Sequence, residues 1–359
     1  MKYKLGEVCS RLSSGKGISA KFINETGTFP VYGGNGLRGY SEKSNFKGEC
    51  AIIGRQGAFC GNVRYFSGEA YMTEHAIVAC ANEKHSTRYL SYLLELMKLG
   101  RLSAQSAQPG LSVKMLAQQE IDMPSLEQQE KIVSILSALE EKININMKIN
   151  KNLEQQAKAI FKSWFIDFEP FSNQKPNDWS VSTLGNVSIM SAGGDKPQNV
   201  SPIKTDLYRY PIYSNGLSDE GLYGFTDKPK IFEESVTVSA RGTIGFVCLR
   251  HTPYVPIVRL VTLIPKTEII SAKYLYLWLK QLHITGTGTT QQQLTVPDFQ
   301  KTAILVPSQE IVTLFTATVE PIFEKIWANQ SENEKLSSLR DILLPKLMSG
   351  ELDVSEIDF

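Results

Sequence analysis

Side chains able to form two hydrogen bonds in one plane recur at matching places along this chain, and they set the first question about its chemistry. The first third carries Asn35, Arg38, Arg55, Gln56, Gln105 and Gln108; beyond the middle stand Asn215, Arg241 and the run Gln291-Gln292-Gln293. Arginine pairs bidentately with guanine, and asparagine or glutamine with adenine, so these residues are candidates for reading base edges in double-stranded DNA. Bond-breaking chemistry finds no comparable set. Ser14-Gly15-Lys16-Gly17 lacks the glycine spacing of a phosphate loop and reads as a turn. Gly33-Gly34-Asn35-Gly36 is not followed by Gly-Lys-Ser/Thr, and no Asn/Asp-Pro-Pro-Tyr/Phe run offers a seat for amino-methyl transfer. Pro297-Asp298 precedes Lys301 without the acidic-x-Lys element of a nuclease metal site. His75, His85, His251 and His283 are scattered without metal-ligand spacing, and Thr73-Glu74-His75 reads as a structural histidine near a strand. The expectation is no catalytic, cofactor or metal site in this chain.

What must position these side chains is visible as a repeat. Leu111-Ser112-Val113 returns as Leu294-Thr295-Val296, and Ile121-Asp122-Met123-Pro124-Ser125 as Ile304-Leu305-Val306-Pro307-Ser308, both at an offset of 183. Gln129-Glu130 is echoed by Gln309-Glu310, Tyr89-Leu90-Ser91-Tyr92-Leu93 by Tyr274-Leu275-Tyr276-Leu277-Trp278. Val31–Leu37 resembles Ile212–Leu217, and Arg55-Gln56-Gly57 is aligned with Arg241-Gly242-Thr243. The chain thus reads as two heads, 1–124 and 171–306, separated by a central helix over 125–170. A distal helix over 307–350 and a tail over 351–359 follow the second head. Each head mixes strands and helices (α/β, in the α+β sense), with an Asn-Gly turn at Tyr32–Gly36 and strands at Cys50–Gly54 and Val236–Ala240.

After each head the apolar period lengthens to steps of three and four. Leu136, Leu139, Ile143, Asn146, Asn150 and Leu153 form one seam; Ile322, Ile326, Asn329, Asn333, Leu336 and Leu343 form the other, with paired asparagines in both. This heptad pattern predicts two long antiparallel coiled-coil helices related by a pseudo-two-fold axis, capped by Ser125 and Ser308. Asparagine in such a seam fixes register, because only the correct pairing satisfies its amide.

Charge follows the same division. Residues 1–124 carry +5, 125–170 carry −1, 171–306 carry +3 and 307–359 carry −6, which a total of +1 conceals. Basic heads suit a phosphate backbone, and acidic segments suit protein contacts. Five cysteines without a C-x-x-C pair, no apolar run long enough for a membrane span and no leader-like N-terminus point to the cytoplasm.

The chain resembles the specificity subunit of type I restriction-modification systems. The resemblance rests on the two turns, on Pro124-Ser125-Leu126-Glu127-Gln128-Gln129-Glu130-Lys131-Ile132, on Ile160-Phe161-Lys162-Ser163-Trp164-Phe165, and on Leu344-Pro345-Lys346-Leu347-Met348-Ser349-Gly350-Glu351-Leu352. It implies two target-recognition domains, each reading half of a bipartite asymmetric DNA sequence. The helices would set the unread gap and dock two modification (methyltransferase) subunits. S-adenosylmethionine, ATP and Mg would belong to those subunits and to motor-nuclease restriction subunits. The rival readings are a self-contained nuclease with an unfamiliar site, and a two-headed scaffold that assembles other proteins.

Overall fold

The computed structural model describes residues 1–103, 110–286 and 293–355. Its contacts divide the chain into two units, Met1–Asn146 with Ser331–Phe359, and Met147–Gln330. Each unit holds one head and a part of both long helices, so the helices are shared between the units and form no body of their own.

In the first unit a six-stranded sheet runs in the order Cys9–Ser14, Ala76–Ala81, Phe46–Gly54, Val63–Met72, Phe29–Gly33, Gly36–Ser41. Its central strand reads Cys50-Ala51-Ile52-Ile53 without alternation because both faces are covered. Ala51 and Ile53 face a core that includes Leu90, Leu94 and Leu136, whereas Cys50 and Ile52 face Phe46, Met72 and Val78. Lys2–Lys4 pairs antiparallel with Glu120–Asp122, tying the start of the head to its end. The second unit repeats this closure with Ser180–Thr183 against Ala303–Val306. Its strands form a four-stranded sheet (Ser188–Ala192, Val261–Pro265, Ser235–Val238, Val247–Arg250) and a three-stranded one (Leu222–Thr226, Tyr210–Tyr213, Val255–Pro256).

The equivalence of the heads extends to single hydrogen bonds. Ser86 caps the helix Thr87–Leu96 by accepting from Tyr89 N, and Ser271 caps Ala272–Leu279 by accepting from Tyr274 N. Ser112 and Thr295, the polar residues of the repeated Leu-Ser/Thr-Val element, cap Val113–Ala117 and Val296–Phe299 in the same way. A further repeat emerges at the start of each head. Leu5-Gly6-Glu7-Val8 and Leu184-Gly185-Asn186-Val187 are both four-residue helices whose leucine and valine are buried. A Cβ on Gly6 would press on Ala117, and one on Gly185 on Gln300, so close packing against the same short helix end explains the shared glycine.

The long helices are Leu126–Phe165 and Gln309–Ser349, 40 and 41 residues, each about 60 Å at about 1.5 Å per residue. Ser125 accepts from Gln128 N while the Gln128 side chain accepts from Ser125 N, a reciprocal cap at 3.3 Å each. In the first unit Ile132 and Leu136 pack with Leu343, Leu344 and Leu347, and Asn146 Nδ2 donates to Asn333 Oδ1 at 2.9 Å. In the second, Asn329 Nδ2 donates to Asn150 Oδ1 at 2.8 Å, and Ala157 packs with Phe315, Val319 and Ile326. Stepping forward four residues on one helix meets a step back of four on the other, the signature of antiparallel strands of a coiled coil. Leu139, Ile143, Leu153, Ile322 and Leu336 are half-buried along these seams, and Ile326 is buried.

The second head is fastened by aromatic rings. Phe165 lies 4.9 Å from both Tyr274 and Phe315, centroid to centroid, and Phe161 lies 5.5 Å from Tyr274. Within this unit one cluster therefore joins the end of the first long helix, the head's own helix and the start of the second long helix.

Candidate nucleic-acid interface

Two strand ends and one turn build the surface of the first head. The hairpin Phe29–Gly33/Gly36–Ser41 closes over Gly34-Asn35, and Gly36 takes φ +100°, the left-handed region that the Asn-Gly signal requires. Asn35 is exposed at its tip. Arg38 folds back across the turn, where a Cβ on Gly33 would lie 2.7 Å from its Cδ. Beside the turn the strand Phe46–Gly54 ends in Arg55 and Gln56. Arg55 N donates to His75 O at 3.0 Å, its guanidinium donates to Glu74 O at 3.4 Å, and its own carbonyl accepts from Leu111 N at 2.9 Å. The arginine is thereby half-buried and tied to the Thr73-Glu74-His75 loop, which leaves Gln56 as the exposed side chain of the pair.

In the second head Leu294 N donates to Ala240 O at 3.0 Å, the counterpart of the bond from Leu111 to Arg55. Gly57 at φ +79° and Gly242 at φ +67° follow two residues later in each case. These bonds shift the sequence alignment by one residue: Ala240 is the partner of Arg55, and Arg241 is the partner of Gln56. The loop that follows is one residue longer in the first head. Its glycine Gly61 bonds back to Gly54, whereas Gly245 bonds back to Ser239. Arg241 is exposed and donates to Gln293 Oε1 at 3.0 Å. Gln105, Gln108, Gln291 and Gln292 lie outside the described residues. Among the described residues, Gly110 bridges to Gln56 and Gln293 accepts from Arg241.

Asn215 differs from the other candidates. Its Nδ2 donates to Val258 O at 2.6 Å and its Oδ1 accepts from Ala240 N at 2.7 Å, so both ends of the amide hold backbone.

Other chemistry is poorly served. Burial pushes the thiols of Cys9 and Cys50 up to about 12 and that of Cys248 up to about 11, so none supplies a thiolate at neutral pH. Arg250 is a buried cation held by Glu220 and Thr237 and stacked 3.6 Å from the Tyr213 ring, a structural tie inside the head. Among the described residues no group of three His, Cys, Asp or Glu side chains is placed to hold a metal ion.

Residues 1–155 and 176–336 match the family described as the type I restriction modification DNA specificity domain. The chain belongs to that family. A putative type I specificity subunit of Mycoplasma pneumoniae is 29% identical over 92% of this chain and 90% of its own length. The specificity subunit of a type I restriction enzyme of Methanocaldococcus jannaschii is 30% identical over 76% of this chain and 70% of that protein. The fold is shared with the crystal structure of a type I restriction-modification S subunit from M. genitalium, at a TM-score of 0.67 and 17% identity, covering 97% of this chain and 95% of that one. Among the described residues no helix is long and apolar enough to cross a membrane.

Several exposed or cavity-lining cations escape a reading of the sequence. Arg64, Lys98 and Arg101 line an open cavity of about 710 Å³ in the first head, opposed by Glu95 alone. Arg259 in the second head is exposed at φ 60°, next to Val258 at φ 52°. The cavity cations come from a strand, a helix end and the turn after it, and no spacing rule joins them. Lys98 alone had a signal, standing just past an amphipathic helix.

Proposed function

We propose that this chain is the DNA-reading subunit of a type I restriction-modification complex, with each head contacting one half of a bipartite, asymmetric target. The observation that carries this reading is the backbone clamp built identically in both heads. It displays Gln56 in one and Arg241 in the other, both exposed. A glutamine suits adenine and an arginine suits guanine, so the two heads are suited to different half-sites. The open basic cavity of Arg64, Lys98 and Arg101 is suited to a phosphate of the backbone, which positions a reader without specifying sequence.

In this reading the long helices set the gap between half-sites and dock two modification subunits. S-adenosylmethionine, ATP and Mg are bound by the partner subunits, including the motor-nuclease ones, and the chain is not catalytic alone. The complex works in the cytoplasm, where its DNA is. Long-read methylation mapping in cells expressing this chain with its modification subunit tests the reading. One bipartite modified motif that vanishes on deletion of the chain is expected; methylation that is unchanged by the deletion overturns it.

A further inference from the structure

The two heads solve one packing problem differently. In both, a parallel strand pair brings a tyrosine beside the loop that follows the next strand: Thr73 N donates to Tyr32 O, and Ile257 N donates to Tyr213 O, each at 2.9 Å. Counting two residues on from the tyrosines makes Gly34 the counterpart of Asn215. Counting two on from Thr73 and Ile257 makes His75 the counterpart of Arg259.

In the first head the two loops touch directly, through Arg55 N donating to His75 O at 3.0 Å. Gly34 is packed onto that bond, and a Cβ there would lie 2.9 Å from His75 O and 3.5 Å from Arg55 N. No side chain fits. In the second head the direct bond is replaced by the Asn215 amide, which lies between Ala240 N and Val258 O and bonds to both. The loop it holds is strained: Val258 and Arg259 are consecutive left-handed residues, one of them β-branched. Their N–H groups donate to Gly194 O and Gly193 O at 2.9 Å, so Asn215 clamps from one side a loop that the glycine pair holds from the other.

We propose that Asn215 is a positioning residue for recognition in the second head: it acts as a spacer amide that sets the distance between the Arg241 and Arg259 loops and touches no base. The proposal rests on the DNA-reading function above. One side of the bridge precedes Arg241 directly and the other precedes Arg259 directly, so the amide sets both guanidinium attachment points at once. Replacing a spacer by glycine, as in the first head, lets the loops close and moves both arginines.

The test uses the complete modification complex, with motif mapping by long-read sequencing and affinity for the mapped site as readouts. Asn215→Ala, and Asn215→Asp, which keeps the acceptor for Ala240 and loses only the donor to Val258, are expected to lower affinity roughly tenfold, the scale of about one lost base contact. Both should blur several base pairs of one half-site and leave the other half and the gap unchanged. Because Asn215 acts through Arg241 and Arg259 together, the triple variant Asn215→Ala/Arg241→Ala/Arg259→Ala should be no worse than Arg241→Ala/Arg259→Ala. Additive losses, or a changed preference confined to one base pair, would make Asn215 a direct reader and overturn the proposal. So would failure of both single variants to assemble, which would mark a residue of stability only. A wild-type complex that maps no bipartite motif instead refutes the underlying reading and is recognised before any variant is made.

Discussion

Gln56 and Arg241 stand at equivalent places on the clamps of the two heads, and Arg55 does not share that role. Arg55 is half-buried with its guanidinium turned to Glu74 O, whereas Gln56 is exposed. If each exposed side chain reads a base as proposed, truncating it removes one bidentate contact, worth about 1–3 kcal/mol of discrimination. Gln56→Ala is expected to relax one half-site and Arg241→Ala the other, read as loss of base preference in methylation maps; relaxation of the same half by both contradicts separate reading. A second residue-scale expectation concerns acid. Gln129 is fully buried, and its Oε1 accepts from Ser86 N, so its NH2 group is turned to Pro124 O and to His85 Nδ1 at 3.1 Å. That partner requires an unprotonated Nδ1. Burial, with Lys84 assisting, accordingly holds the His85 pKa below its ordinary 6.5. The unfolded chain therefore takes up the proton first as pH falls, and stability that is complete above about 6.5 declines below it. Melting temperatures from pH 7.5 to 5.5 should show that decline, and His85→Phe should flatten it; an identical slope in the variant removes His85 as its source.

At the scale of elements, the seam asparagines bond to each other across the helix pair, and their contribution is separable from apolar packing. Asn329→Leu alone leaves Asn150 Oδ1 buried without its donor, a loss of about 1–3 kcal/mol. Replacing both by leucine removes the polar groups together and is expected to be neutral or stabilising by denaturant unfolding. If the double variant is the worse of the two, the pair is held by more than its mutual hydrogen bond. The aromatic cluster is less forgiving: Phe165, 1% exposed, touches rings from two helices and from Trp179 just before a strand, and Phe165→Ala should cost about 3–5 kcal/mol in the same measurement. These elements were legible because their signals are periodic or local. Seams every three or four residues, Ser-x-x-Gln before an apolar run and an Asn-Gly turn each follow from one stretch of chain. Illegible features depend on where separate stretches meet. The one-residue offset of Arg55 from Arg241 shows only in the backbone bonds from Leu111 and Leu294, and the cavity cations come from three segments. The duty of Asn215 needs two carbonyl and amide groups 25 and 43 residues away.

For the whole molecule, each of the two units contains one head and parts of both long helices, so the helices run on from one unit into the other. The heads keep their own cores and their own clamps, while the seam repeats with a period of seven. Inserting seven residues into each helix at facing positions, beside Asn146–Asn333 and Asn150–Asn329, preserves the seam and the asparagine pairing. At about 1.5 Å per residue the insertion adds about 10 Å, close to three base pairs at about 3.4 Å each. If the helices set the gap, the mapped motif keeps both half-sites and lengthens its unread centre by about three base pairs. Insertion into one helix only breaks the facing register, and is expected to abolish modification without altering either head. Two half-sites at the original spacing after the paired insertion would assign the gap to a partner subunit.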